Sequence, residues 1–166
     1  MPFRLRAEVL GEEVFNRAFN RIDSLSDLRP LWPEVIREFY LIEAEQFESE
    51  GAAGASGKWA ALSDVYARYK QRVRPDKPIL RFDDDLVQSL TDPEAVGAIL
   101  RPEADGLTIG TSVPYATAHQ RGTRRMPARP PISLAETQKR RLQKSIQAGL
   151  VRFVREAGFN VEERAA

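Results

Sequence analysis

The stretch from Tyr115 to Ile132, YATAHQRGTRRMPARPPI, constrains the fold more than any other part of the chain. Proline lacks the amide hydrogen that a helix or a central strand needs, and its ring clashes with the preceding helical turn. Gly122 and the prolines Pro127, Pro130 and Pro131 therefore prevent a helix from running through this segment. It must be a connection, and it is longer than the usual connection of about 4–6 residues. Long connections of this kind are either functional or disordered. This one lies between well-patterned elements, so the expectation is an ordered, exposed arm over residues 121–132 that touches something. It carries Arg121, Arg124, Arg125 and Arg129, and it is preceded by His119, the only histidine, and Gln120.

The flanking sequence reads as mixed helix and strand. Phe3 to Leu10 alternates apolar and charged residues, the pattern of a half-buried strand. Glu12 to Ile22 and the segment opened by Pro33 repeat apolar residues at helical spacing, the second through Val35, Ile36, Phe39, Ile42 and Phe47. The glycine-rich run from Gly51 to Gly57 predicts a flexible break, and Ser63 caps a short helix after it. Pro75 and Pro78 supply a turn. Asp83 is the expected N-cap of a helix through Leu90. Ala95 to Leu100 and Leu107 to Thr111 read as two strands joined at Asp105-Gly106. Pro114 opens a brief helix that Gly122 ends. Ser133 and Glu136 form a capping box for a long helix with Leu134, Leu142, Ile146, Leu150 and Phe153 on one face and Gly158 at its end. Residues from Val161 to Ala166 read as a frayed tail. The fold class is α+β: a small, mostly antiparallel sheet with packed helices, the extended Arg/Pro-rich arm and a long C-terminal helix.

Composition narrows the chemistry. A chain of 166 residues can bury a core without staples, and with no cysteine it has neither disulfides nor thiolate ligands nor a cysteine nucleophile. Basic and acidic residues number 25 and 24, a balance that gives no global drive towards nucleic acid or acidic membranes. No apolar run reaches the roughly 18 residues of a membrane span, and the N-terminus lacks a signal-peptide core, so the chain is expected to begin in a cytoplasm.

His119 could act as an acid or base near neutral pH, but the sequence offers neither a nucleophile motif nor an orienting partner. One histidine without cysteine suits zinc poorly. The expected role of His119 and Gln120 is to fix the exit of the arm by hydrogen bonds. Asp83, Asp84 and Asp85 cannot converge on one magnesium ion, because successive helical residues point about 100° apart. They read as a cap with first-turn acids, or as an acidic patch that receives arginines from a neighbouring copy. Arg121, Arg124, Arg125 and Arg129 could grip phosphates without reading bases, or pair with carboxylates across a subunit boundary. Arg129, held between prolines, is expected to make a fixed contact with a carboxylate, in the Asp83–Asp85 cluster or on a neighbour. The arm from Gly122 to Pro131 is expected to be dispensable for folding but needed for assembly, with deletion of Thr123 to Ala128 as the test. Lys139, Arg140, Arg141 and Lys144 read as the solvated face of the last helix, and Trp32 and Trp59 as core.

The segment LTIGTSVP followed by YATAHQRG and PARPPI resembles the phage virion morphogenesis family, the tail completion proteins of tailed phages. Phe47, Trp59, Leu62, Tyr66 and Lys70, and then PILRFDDDLVQSL, are similar to further blocks of that family in the same order, so the likeness covers residues 45 to 135. Asp83-Asp84 stand where the family tends to have Thr-Gly, so a different turn is expected there. Pro131-Ile132 stand where Phe-Leu is usual, so a shallower anchor is expected. The resemblance implies one tail-completion-like domain over 1–166, without enzymatic activity, cofactor or metal. It implies a virion protein at the head–tail junction, assembled in the host cytoplasm, that caps the tail and joins it to the head. The partners implied are a homo-oligomeric ring, hexameric by analogy, with tail-tube and neck proteins and non-specific contact with packaged DNA. Tyr115, His119, Gln120, Arg121, Arg124, Arg125, Arg129 and Asp83 to Asp85 are the expected interface residues. A reading from another class stays open: a cytoplasmic DNA-binding accessory protein that uses the arginines on phosphates.

Overall fold

The computed structural model describes residues 2–5 and 27–156. The later part of the first expected strand, the helix over Glu12 to Ile22, Gly158 and the tail after it lie outside the described residues. Strand β1 (Pro2–Leu5) is followed by a 3-10 turn at Arg29–Leu31 and helix α1 (Trp32–Glu48). Then come α2 (Asp64–Val73), α3 (Asp85–Thr91), β2 (Ala98–Pro102), β3 (Leu107–Thr111), α4 (Ala116–Arg121) and α5 (Glu136–Glu156). The strands form one antiparallel sheet in the order β1-β3-β2, with Ile109 opposite both Phe3 and Leu100. The turn between β2 and β3 closes where Glu103 N donates to Gly106 O at 2.7 Å. The α+β class and the long C-terminal helix are therefore as expected. Among the described residues no helix is long and apolar enough to cross a membrane.

Pro33 occupies the first turn of α1, where its missing amide hydrogen costs nothing. The apolar stripe of α1 feeds two cores. Val35, Phe39 and Ile42 join Leu107 and Ile109 of β3 and Leu142 of α5 in the first. Phe47, at the end of α1, joins Trp59, Leu86, Leu90, Val113 and Ala116 in the second. Ile132 packs against both clusters and Pro131 is fully buried, so the anchor after the arm seats deeply rather than shallowly. Trp32 and Trp59 are core, as expected.

Two polar residues share the buried stripe of α1. Glu43 and Gln46 are each 1% exposed, and both carboxyl oxygens of Glu43 lack a hydrogen-bond partner among the described residues. Burial pushes the Glu43 carboxyl well above the usual carboxylate range, favouring the neutral acid.

Helix α5 departs from expectation at its start. It begins at Glu136, and the reach-back bond comes from Gln138, whose Oε1 accepts from Ala135 N at 2.8 Å. The Ser133 hydroxyl is instead 2.7 Å from that of Ser56, and Ser133 O accepts from Ala55 N at 3.0 Å. The glycine-rich run is thus docked rather than a free break. A Cβ on Gly54 would lie 2.4 Å from Ser133 O, which only glycine avoids. The basic face of α5 is also not wholly solvated. Arg141 donates to Glu38 at 2.6 Å and to Glu45 at 2.6 and 2.9 Å, tying α5 to α1, and Arg152 pairs with Glu34.

Candidate functional site: a basic groove beside the arm

The arm divides into an exposed tip and a buried return. Arg121, Thr123, Arg124, Arg125, Pro127 and Ala128 are exposed, but Arg129 is only 4% exposed, so exposure ends at Ala128 rather than at residue 132. Gly122 sets the entry. Its φ of +72° is open to glycine at little cost, and a Cβ there would lie 2.8 Å from Ala128 N, so the two ends of the tip are adjacent. Thr123 N donates to Met126 O at 2.8 Å and closes the tip as a turn.

The return is held by side chains from distant elements. Gln120 donates to Ile132 O at 2.8 Å and accepts from Ile132 N at 3.3 Å, so it fixes α4 to the end of the arm rather than to its start as expected. Trp59 Nε1 donates to Pro130 O at 2.9 Å, and Gln46 Nε2 reaches the same oxygen at 3.4 Å. Arg129 N donates to His119 O at 2.8 Å. The Arg129 guanidinium makes the fixed contact expected of it, but not with a carboxylate. Its Nε donates to Ala60 O at 2.6 Å and its Nη2 to Ala61 O at 2.8 Å. The planar fork of arginine suits two adjacent carbonyls on one strand of backbone.

Arg129 and His119 line a groove of 670 Å³. Helix α2 contributes Tyr66 and Lys70 to its lining, and Leu80 and Phe82 line it as well. Ser63 caps α2, accepting from Tyr66 N at 3.4 Å, as expected. Lys70 is 5% exposed and donates to Pro78 O. Burial lowers its pKa, while Glu50 and Asp84 act in the other direction from outside hydrogen-bond contact. Among the described residues, neither Lys70 nor Arg129 is in an ion pair. Arg81 and Arg125 add two further cations to the lining, against one acid, Asp83, which already takes Arg74 at 2.8 Å.

The expected interface residues are only partly brought together. Tyr115, His119, Arg125, Arg129 and Asp83 line the groove. Gln120 is used by the return, Arg121 and Arg124 are exposed at the tip, and Asp85 is exposed in the first turn of α3. His119 stacks edge-on against Tyr115, at 5.8 Å between ring centroids. Burial, then the charge of Arg129, lowers the His119 pKa, and its buried Nδ1 has no hydrogen-bond partner among the described residues. Burial raises the Tyr115 phenol, with Asp85 and Asp83 adding to the effect.

Asp83 is not the N-cap of α3. Asp84 holds that position, and its side chain makes no capping bond. It accepts from Arg81 at 2.9 Å and from Lys77, which together hold its carboxyl below the usual range. Asp84 has φ +65°, the left-handed conformation that glycine adopts freely. An aspartate in this conformation carries a backbone cost that glycine would not.

The groove residues that sequence reasoning did not single out are Arg81, Phe82 and Met126. Tyr66 and Lys70 belong to blocks that carry the family likeness, which was the one signal pointing to α2. Comparison with curated proteins and with solved structures gives no match. Comparison with family models matches the phage virion morphogenesis family over residues 11–150. The chain belongs to the phage virion morphogenesis family, a structural and assembly family, and its role is that of a virion component that works with other virion components.

Proposed function

We propose that the chain is a single-domain tail completion protein that caps the finished tail tube and joins it to the head as a subunit of a closed ring, hexameric by analogy with tail-tube symmetry. Closure of a ring needs heterologous contacts, in which one surface of each copy meets a different surface of the next. The observation that carries the reading is the arm. Its root is clamped into the core by Arg129, Gln120 and Trp59, while its tip holds Arg121, Arg124 and Arg125 outward without an ion pair to any described residue. A tip fixed in place before contact loses less entropy on binding than a free loop would.

The same three arginines support a second reading, contact with nucleic-acid phosphates. One experiment separates the two. Sedimentation of the purified protein is measured at low and high salt, with and without duplex DNA. A closed oligomer without DNA supports the ring. A monomer that binds DNA with a steep loss on added salt supports the second reading. The tail-completion role is tested with infected-cell extracts that lack this protein. Separate heads and tails are expected, and added protein is expected to join them. Intact particles in its absence would refute the role.

A further inference from the structure

Lys70 and Arg129 are both more than nine-tenths buried, line the same groove, and are satisfied by backbone carbonyls rather than carboxylates. Buried cations are ordinarily paired. Arg125 and Arg81 also line the groove, Arg81 paired with Asp84 at 2.9 Å, so Lys70, Arg129 and Arg125 are the lining cations in no ion pair among the described residues, and the one lining acid, Asp83, is engaged by Arg74. Tyr66 and Tyr115 stand at the rim, 43% and 44% exposed. Tyr69 lies beside Tyr66 and is 45% exposed. Tyrosine and arginine around a concave surface are the composition of a protein interface, not of an idle face. A segment complementary to this lining would be acidic, with an apolar residue for the tyrosines.

The chain presents such a segment elsewhere on its surface. Between α3 and β2 lies Asp92-Pro93-Glu94-Ala95-Val96, where Asp92 and Glu94 are exposed and in no ion pair among the described residues. Val96 is 95% exposed, the most exposed large apolar side chain among the described residues. The corner is ordered internally: Glu94 N donates to Asp92 Oδ1 at 2.9 Å, and Ala98 N to Ala95 O at 3.0 Å. Helix α3 separates the two surfaces. Asp83, in the groove, precedes its first turn, and Asp92 follows its last. At about 1.5 Å per residue the helix holds them roughly 10 Å apart along its axis, at opposite ends. A corner at one end cannot reach the groove at the other end of the same copy, but it can enter that of the next.

We propose that the groove receives the Asp92–Val96 corner of a neighbouring copy, with the two carboxylates towards the cations and Val96 against Tyr66. The proposal rests on the ring reading above and supplies its heterologous contact. The protein has no cysteine, so introduced thiols report only on designed positions. Val96→Cys and Tyr66→Cys, both at exposed sites, are mixed as separate proteins under mild oxidation. A disulfide-linked heterodimer is expected at least ten-fold above the yield from a control mixture of Leu41→Cys with Tyr66→Cys, since Leu41 is 50% exposed on α1 and belongs to neither surface. The double variant Val96→Cys/Tyr66→Cys is expected to give a ladder that ends in one closed species. Glu94→Lys in the Val96→Cys protein is expected to reduce the yield several-fold. Control-level yield from a protein that still sediments as a ring would overturn the groove contact and leave the ring standing. A heterodimer with a ladder that never closes would uphold the contact and refute the ring. Control-level yield from a protein that sediments as a monomer would overturn both. A heterodimer insensitive to Glu94→Lys would overturn the acidic recognition.

Discussion

The two halves of the Gly122–Ile132 stretch share a composition and have opposite fates. Arginine and proline occur in both. In the tip, Arg124 and Arg125 point outward and the backbone satisfies itself in a single turn from Thr123 to Met126. In the return, Arg129 is buried, Pro131 is fully buried, and Ile132 joins two cores. Composition therefore does not decide exposure here. What decides it is whether distant backbone offers acceptors at the right place. Ala60 O and Ala61 O lie within direct hydrogen-bond reach of Arg129, and among the described residues no such pair of acceptors meets Arg124.

The sharpest way to break the comparison is Arg129→Ala. Removing two charge-assisted bonds costs about 3 kcal/mol, which for a chain of this size lowers Tm by roughly 6–12 °C. Arg129→Lys is expected to recover less than half of that, because an ammonium lacks the fork. Arg124→Ala should leave Tm unchanged within about 1 °C, as an exposed substitution away from special features does. Equal thermal shifts from Arg129→Ala and Arg124→Ala would show that the return is no more structural than the tip.

The second test uses acid. His119 supplies the carbonyl that holds Arg129 N, and its own ring pKa is lowered by burial and by the Arg129 charge. The unfolded chain therefore takes up this proton first as pH falls. The contribution of neutral His119 is fully present above its ordinary value of 6.5 and is lost as pH drops through the lowered folded value. The raised Glu43 carboxyl acts in the opposite direction over this window, so the readout is the difference: from about pH 7.5 to 5 wild type should lose stability relative to His119→Gln. Deleting tip residues should leave the slope as it is. A slope identical in wild type and His119→Gln would refute the link between His119 and the return.

Trp59→Phe gives a smaller effect. It keeps the edge-on contact with Phe47, at 5.4 Å between centroids, but deletes the bond from Nε1 to Pro130 O. The expected loss is about 1 kcal/mol, the usual net worth of one hydrogen bond. A loss as large as that from Arg129→Ala would move the anchor of the return from the guanidinium to the indole.

Much of the scaffold was legible in the sequence, because it rests on local rules. The stripe of α1, the Ser63 cap, the Asp105-Gly106 turn and the helical spacing of α5 each follow from residues within a turn or two of one another. The errors fall where distant residues intervene. Ser133 looked like a cap, but Ser56 takes its hydroxyl. Arg141 looked solvated, but Glu38 and Glu45 of α1 meet it. Glu43 and Gln46 lie on a stripe read from its apolar members alone. The groove shows the same division: Tyr115, His119 and Arg125 could be found from the arm's own sequence, whereas Arg81 and Phe82 reach it only through the turn before α3.

The smallest expected effect is the most informative about the tip. Gly122 lies against Ala128, so the backbone can be rejoined there with little displacement, which narrows the dispensable segment to Thr123–Pro127. The segment contains one large apolar side chain, Met126, and its only ladder is the pairing of Thr123 with Met126. Deletion removes that closed turn and nothing that Arg129, Gln120 or Trp59 grips. Shortening a loop by a few residues changes its closure entropy by well under about 1 kcal/mol. The shortened protein should therefore melt within about 2 °C of wild type by calorimetry, while losing the Arg124 and Arg125 surface altogether. If the tip serves assembly, the same protein will fail to restore head–tail joining in extracts. Melting well below wild type would instead place the tip with the return, as part of the fold.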